Sequence, residues 1–174
     1  GVTYSDALKL MRERNYFGAA MVELGDADAM ISGLTRNYGD AIRPALQVIG
    51  VDDGVNNIAG MYIVMTKQGP FFFADTTVNY DPSPQELVDI TVLVEKIVKR
   101  FKVKPRIAFL SYSNFGSSEG KDAVKMREAV RLLHSQYPEI IVDGEVQANF
   151  ALNRSLMRER FPFSELSKKK TNTL

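Results

Sequence analysis

Cysteine and tryptophan are missing from this chain of 174 residues, and histidine occurs once, at His134. The first absence excludes disulfides, thiolate nucleophiles and cysteine-ligated metals, and it suits a reducing cytoplasm. A single histidine with no nucleophile beside it carries little catalytic signal and reads as a surface or partly packed imidazole. Charge of one sign is lacking too. The 22 Lys and Arg stand against 21 Asp and Glu, so no basic stripe marks a nucleic-acid surface and any anionic partner needs a local pocket. No apolar run approaches the roughly 20 residues of a bilayer span, and the N-terminus lacks the pattern of a signal peptide. Internal repeats and low-complexity segments are absent. What is present is 45% hydrophobic and 25% charged, enough to bury a sizeable core in one domain or two small ones. The start at Gly1 and the basic end SKKKTNTL, which reads as the opening of another strand, suggest an excised piece of a longer chain.

The stretch Ala27 to Ile49 organises the reading. Ala29, Met30 and Ile31 form a short strand-like run that breaks at Ser32-Gly33, passes Thr35 and Arg36, and enters a helix carrying Arg43. A strand that hands over to a helix at glycine exposes unpaired N–H groups at the helix start, where the helix dipole favours an anion. Upstream, Thr3 and Asp6 resemble a capping box for a helix to about Arg14, and Asn15 caps a second helix closed by Gly25.

Downstream, Val51 to Asn57 has loop chemistry. Met61 to Thr66 and Phe71 to Ala74 read as a hairpin around Gln68-Gly69, with Asp75, Thr76 and Thr77 at its end. Ser83-Pro84-Gln85-Glu86 is a strong helix start, continued to about Phe101. Ile107 to Leu110 is a buried strand running into SYSNFGSSEG, then a helix spans Asp122 to about Tyr137. Ile140 to Val142 is a further strand, ending at Asp143-Gly144-Glu145, and Gln147 to Arg160 is the last helix. Alternating strands and helices give an α/β class, with a mostly parallel sheet covered by helices on both faces.

The chemistry on offer is anion binding. Ser32, Gly33, Thr35, Arg36 and Arg43 from one loop, and Ser111, Ser113, Asn114, Gly116 and Ser117 from another, combine hydroxyls, backbone N–H groups and guanidinium forks suited to phosphate or pyrophosphate. Neither loop is a Walker A or a dinucleotide glycine motif. Asp143 and Glu145 form a carboxylate pair that alternation would point to one face, able to do acid–base work if one were buried but equally able to receive an arginine or cap a helix. No metal-ligand spacing is visible.

The runs SGLTRNYGDAIRPALQ, FFFADTTVN, LSYSNFGSS and VDGEVQANFAL resemble the phosphate acetyltransferase family in order and spacing over nearly the whole chain. The TRNY variant at Thr35 to Tyr38, with RNYFGAAMVELGDADA upstream, is most similar to the C-terminal domain of hybrid bacterial NADP-dependent malic enzymes. That resemblance implies a two-domain fold of the isocitrate/isopropylmalate dehydrogenase type, with 1–50 in the first subdomain and 51–174 in the central one. It implies a parent oxidoreductase that decarboxylates malate to pyruvate with NADP and Mg or Mn in its N-terminal part. This domain would sense acetyl-CoA or a related acyl-CoA, regulate allosterically, and assemble a cytoplasmic dimer to which the hairpin contributes. No cofactor is implied in the fragment, and neither nucleic acid nor membrane is expected as partner.

Carried over by position, Arg43 in IRPALQ matches the arginine that contacts the phosphate or CoA end of the substrate. Ser32-Gly33 matches the opening of the same loop, and Ser111 to Gly116 matches the SYS-x-x-G loop. Phe115 stands where true acetyltransferases usually carry a lysine. The family segments FPDLNAGN and SRGCS-x-x-D, which supply the serine, arginine and general-base aspartate, would follow Leu174, so the expectation is no acetyltransferase activity from these residues. The alternatives are a fragment of a stand-alone phosphate acetyl/butyryltransferase, which transfers acyl groups between CoA and phosphate, and a dimerisation domain with a decayed pocket.

Overall fold

A computed structural model describes residues 2–51 and 57–174. The loop expected over Val51 to Asn57 falls, at 52–56, outside the described residues. The chain divides into two compact units, 1–55 and 56–174.

The first unit is helical. Thr3 caps α1 (Tyr4–Leu10), its Oγ1 accepting the Asp6 N–H. Glu13, rather than Asn15, caps α2 (Arg14–Glu23) by accepting the Asn15 N–H. That frees Asn15 to become a buried polar tie: its Oδ1 accepts from Ser32 Oγ at 2.7 Å and its Nδ2 donates to the Asp40 carbonyl at 3.4 Å. The strand expected at Ala29 to Ile31 does not form. These residues are irregular, with Ile31 fully exposed and Met30 laid against Gly18 of α2. Three residues with no neighbouring strand to pair with have no ladder to join, so a short apolar run packs as loop. The helix α3 follows (Tyr38–Val48) and packs on α2.

In the second unit, β1 (Met61–Thr66) and β2 (Gly69–Ala74) pair antiparallel, from Met61 opposite Ala74 to Thr66 opposite Gly69. Ser83 and Glu86 close a full capping box ahead of α4 (Pro84–Arg100). The parallel pair is β3 (Ile107–Leu110) with β4 (Val142–Val146), joined through α5 (Lys121–Gln136). A connection of two residues permits only antiparallel pairing, whereas the helical crossover permits parallel. Of the four strands one pair is antiparallel and one parallel, so these two pairings alone do not establish the mostly parallel sheet expected from the sequence. Thr173 bridges Phe72 on one side and Ile107 on the other, both in parallel, which joins the two pairs.

Helices do cover both faces of the β3–β4 pair. Ile107 and Phe109 pack with Val88 of α4 and with Ala129, Val130 and Leu133 of α5. Ala108 and Val146 pack on the opposite side with Ala151, Met157 and Leu166. These three belong to α6 (Ala148–Leu152), α7 (Arg154–Arg160) and α8 (Glu165–Lys168). The single helix expected from Gln147 to Arg160 is thus two, broken at Asn153, whose extended backbone and side chain start the second. β4 also begins at Val142 instead of Ile140 and runs on through Asp143-Gly144-Glu145.

Candidate functional site

The expected ligand contacts fall into two groups, one in each unit. In the first unit Ser32 turns inward to Asn15, and Gly33, at φ 124°, turns the chain with the Thr35 N–H donating to its carbonyl at 2.8 Å. Arg36 pairs with Glu13 at 2.5 Å, and Arg43 faces Asp40 at 3.6 Å on the solvent side of α3. Arg36 and Arg43 line one small cavity of about 170 Å³ together with Tyr16 and Pro44. The structure therefore brings the two arginines together but gives each a carboxylate neighbour. The exposed Arg43–Asp40 pair is weak, of order 0–1 kcal/mol, so a phosphate can compete for that guanidinium, whereas Arg36 is the ion-pair partner of a Glu13 Oε1 that is buried and accepts no hydrogen bond.

In the second unit the Ser111–Gly116 loop leaves the end of β3 and is shaped from below by Glu145. That side chain is 0% exposed. Its Oε1 accepts from Ser113 Oγ and from the Gly116 N–H, both at 2.8 Å. The backbone carbonyl of Glu145 accepts the Phe115 N–H at 2.7 Å, and that of Val146 accepts the Ser111 N–H at 3.1 Å. Ser113 is buried and lies 3.1 Å from Ser117 Oγ, which accepts the Asn114 N–H at 2.9 Å. Asn114 Oδ1 accepts the Gln147 N–H at 2.8 Å, which fixes the amide so that its NH₂ faces away. Of the five expected contacts here, Ser113 and Gly116 thus turn their donors inward, Ser111 and Asn114 stay partly accessible, and Ser117 is exposed. Phe115 packs its ring on Phe161 and Phe163, at centroid distances of 4.9 and 5.1 Å.

Asp143 and Glu145 do not act as a pair. Asp143 Oδ2 accepts from Ser164 Oγ at 2.6 Å and from the Glu165 N–H at 3.1 Å, which ties down the start of α8. Sequence reasoning missed Arg127 of α5, whose Nε lies 3.6 Å from Glu145 Oε2 and whose Nη2 donates to the Ser118 carbonyl. The signal was available, since Arg127 falls at helical spacing from Ala123 and Val130 on the face of α5 that packs inward. A cation on an apolar stripe calls for a buried counter-charge.

At the end of β2, Asp75 collects N–H groups from Gly60, Thr77, Val78 and Asn79, with the Asn79 amide added. Burial raises its pKa, but these hydrogen bonds, led by that from Asn79, outweigh it and hold the carboxyl below its ordinary value. The turn stands over a cavity of about 420 Å³ whose walls include Leu87, Ile90 and Phe109, with Thr76 and Lys125 at its polar side. Among the described residues no three metal-binding side chains gather, and no helix is long and apolar enough to cross a membrane. His134 lies on the outer part of α5, its Nε2 donating to the Val142 carbonyl at 2.9 Å.

Comparison with known proteins adds identity to this geometry. The chain is 39% identical over 167 residues to an NADP-dependent malic enzyme of Escherichia coli K12, covering 95% of itself and 22% of that protein. It is 34% identical over 164 residues to a phosphate acetyltransferase of Bacillus subtilis 168, covering 94% of itself and 51% of the relative. The EutD phosphotransacetylase structure from Staphylococcus aureus matches 99% of the chain with a TM-score of 0.83 at 32% identity, over 53% of its own length. The chain therefore spans about half the length of these two phosphotransacetylases and about a fifth of the malic enzyme. The family described as phosphate acetyl/butaryl transferase matches residues 1–174; its fold, its loops and its relatives agree, and the chain belongs to that family.

Proposed function

We propose that this chain is an acyl-CoA-binding domain with a regulatory and assembly role, belonging to a cytoplasmic NADP-dependent malic enzyme. The observation that carries this is the disposition of donors and carboxylates. In the second unit Ser111, Asn114 and Ser117 remain able to hold phosphate oxygens, while Asp143 and Glu145 are engaged by hydrogen bonds. Such a set suits a phosphate or pyrophosphate, and neither Asp143 nor Glu145 is free to take a proton from a thiol, the step that catalysis by acyl transfer needs. The malic enzyme relative supports the parent assignment through its 39% identity, against 34% for the acetyltransferase. NADP and Mg or Mn would act in the remaining part, on the oxidative decarboxylation of malate to pyruvate. Tyr62, Ile63, Val64 and Met65 are exposed along β1, an edge strand suited to a second copy of the chain.

A second reading, a phosphate acetyl/butyryltransferase moving acyl groups between CoA and phosphate, is favoured by the acetyltransferase relative, half of which this chain covers. Calorimetric titration of the chain with acetyl-CoA and a coupled assay of acetyl phosphate with CoA separate the two. Binding without acetyl-CoA formation is the expected result. Turnover establishes the transferase reading, and no binding at all leaves a dimerisation domain. In the parent, acetyl-CoA is expected to lower malate oxidation. That effect requires differential affinity for two states of the whole protein, so unchanged oxidation at saturating acetyl-CoA defeats the sensing role.

A further inference from the structure

We infer that Glu145 is the positioning residue of the Ser111–Gly116 loop: a buried carboxylate that holds the loop in its ligand-binding shape by taking its inward donors. The inference rests on the reading of that loop as an acyl-CoA or phosphate contact. A carboxylate at 0% exposure has lost its water, and the cost of that is met only where donors replace it. Here the donors are the loop itself. Ser113 Oγ and the Gly116 N–H both reach Oε1 at 2.8 Å, and Arg127 supplies the charge from 3.6 Å on the Oε2 side. Oε2 accepts no hydrogen bond and is buried.

A displaced loop would withdraw both donors at once and leave a bare anion in the interior. The penalty restricts the loop to the one shape that serves Glu145, in the manner of a buried network that specifies a single arrangement. The same strand segment fixes the loop from the other side through Gln147, whose N–H donates to Asn114 Oδ1 at 2.8 Å and whose Nε2 donates to the Tyr112 carbonyl at 2.7 Å. With Ser113 and Gly116 facing in, Ser111, the Asn114 NH₂ and Ser117 are left facing a ligand, already ordered. The loop meets its ligand without having to order first, and that preorganisation is what Glu145 contributes to affinity.

Two substitutions divide reach from charge. Glu145→Gln keeps an oxygen where Oε1 stands and places its NH₂ where no hydrogen bond is accepted now. Glu145→Asp keeps the charge but is one methylene short of Ser113 and Gly116. Acetyl-CoA affinity, measured calorimetrically well below each variant's melting temperature, is expected to stay within about threefold for Gln and to fall about tenfold or more for Asp. The Gly116 amide resonance should report the same order, near the wild-type position in the Gln variant and displaced in the Asp variant. If Asp melts earlier yet binds acetyl-CoA as the wild type does, Glu145 is structural only and the inference fails. Should Glu145→Asp not fold, Ser113→Ala removes a single donor, and unchanged affinity there overturns the inference equally. Failure of the wild type to bind acetyl-CoA defeats the functional reading as well, a result distinct from wild-type binding with indifferent variants.

Discussion

Asp143 and Glu145 leave β4 toward different partners because Gly144 stands between them at φ 141°, where an added Cβ would meet the Phe109 carbonyl at 2.7 Å. Only glycine gives the chain that conformation and that closeness to β3. Alternation therefore fails at this point, and the two carboxylates expected on one face instead cap α8 and shape the Ser111–Gly116 loop. Asp75 gives the clearest pH dependence. Its hydrogen bonds hold the folded-state pKa below the ordinary value against the opposing effect of burial. A carboxylate depressed on folding adds stability that is fully present above its unfolded pKa of about 3.9 and is lost as pH falls through the lower folded value. Asp75→Asn should therefore be less stable than the wild type near pH 7, with the gap closing below about pH 4. Urea melts of both proteins at pH 7, 5, 4 and 3 read this directly, and a gap that stays constant to pH 3 would show that charge is not what Asp75 contributes.

At the scale of elements, local chemistry was readable where one segment decides its own conformation. The Ser83-Pro84-Gln85-Glu86 start of α4, the Thr3 cap of α1 and the β1–β2 hairpin all form as the residues indicate. The errors sit where pairing or packing decides. Ala29 to Ile31 has strand-like composition but no strand to join, and Gly18 instead gives Met30 a place on α2. The apolar pattern of Gln147 to Arg160 runs on across the helix break at Asn153 because the two short helices bury Ala151 and Met157 in the same cluster. Periodicity reports the shared core and hides the turn. The candidate site divided in the same way: the loop residues could be named from their types, but which donors face inward depends on Glu145 and Arg127, from distant elements. Asn153 is the residue that makes the break in the last helical segment. Its Oδ1 accepts the N–H groups of Ser155 and Leu156 at 3.1 and 3.2 Å. Asn153→Ala should cost about 0.5–2 kcal/mol of unfolding free energy. A chemical melt checks it, and no loss would mean that the turn is held by packing alone.

For the second unit taken whole, the antiparallel hairpin and the parallel pair become one sheet through residues 172–174. The Phe72 and Ala74 N–H groups donate to the carbonyls of Asn172 and Leu174, each at 2.9 Å, and the Ala108 N–H donates to Thr173 at 2.9 Å. Asn172 locks this insertion with its side chain: Oδ1 accepts the Arg106 N–H at 2.8 Å and Nδ2 donates to the Lys104 carbonyl at 3.0 Å. Because Asn172 is 7% exposed, water cannot readily replace those bonds. Asn172→Ala removes the acceptor of the partly buried Arg106 N–H and the donor to the Lys104 carbonyl, and the N–H left unsatisfied costs about 1–3 kcal/mol. The loss should be unevenly spread. The hairpin's backbone is tied toward β3 through this inserted segment, and its side chains pack on α4 through Phe72, against Ile90, Val94 and Val98, and on the Ala108–Val146 cluster through Phe71 and Phe73. A two-stranded hairpin has little stability of its own. Hydrogen exchange in the variant should therefore quicken at Phe72 and Ala74 more than at Phe109 or Val142, which lie in the cluster between α4 and α5. Uniform acceleration across both strand pairs would mean that the second unit unfolds as one body and that Asn172 stabilises the whole of it equally.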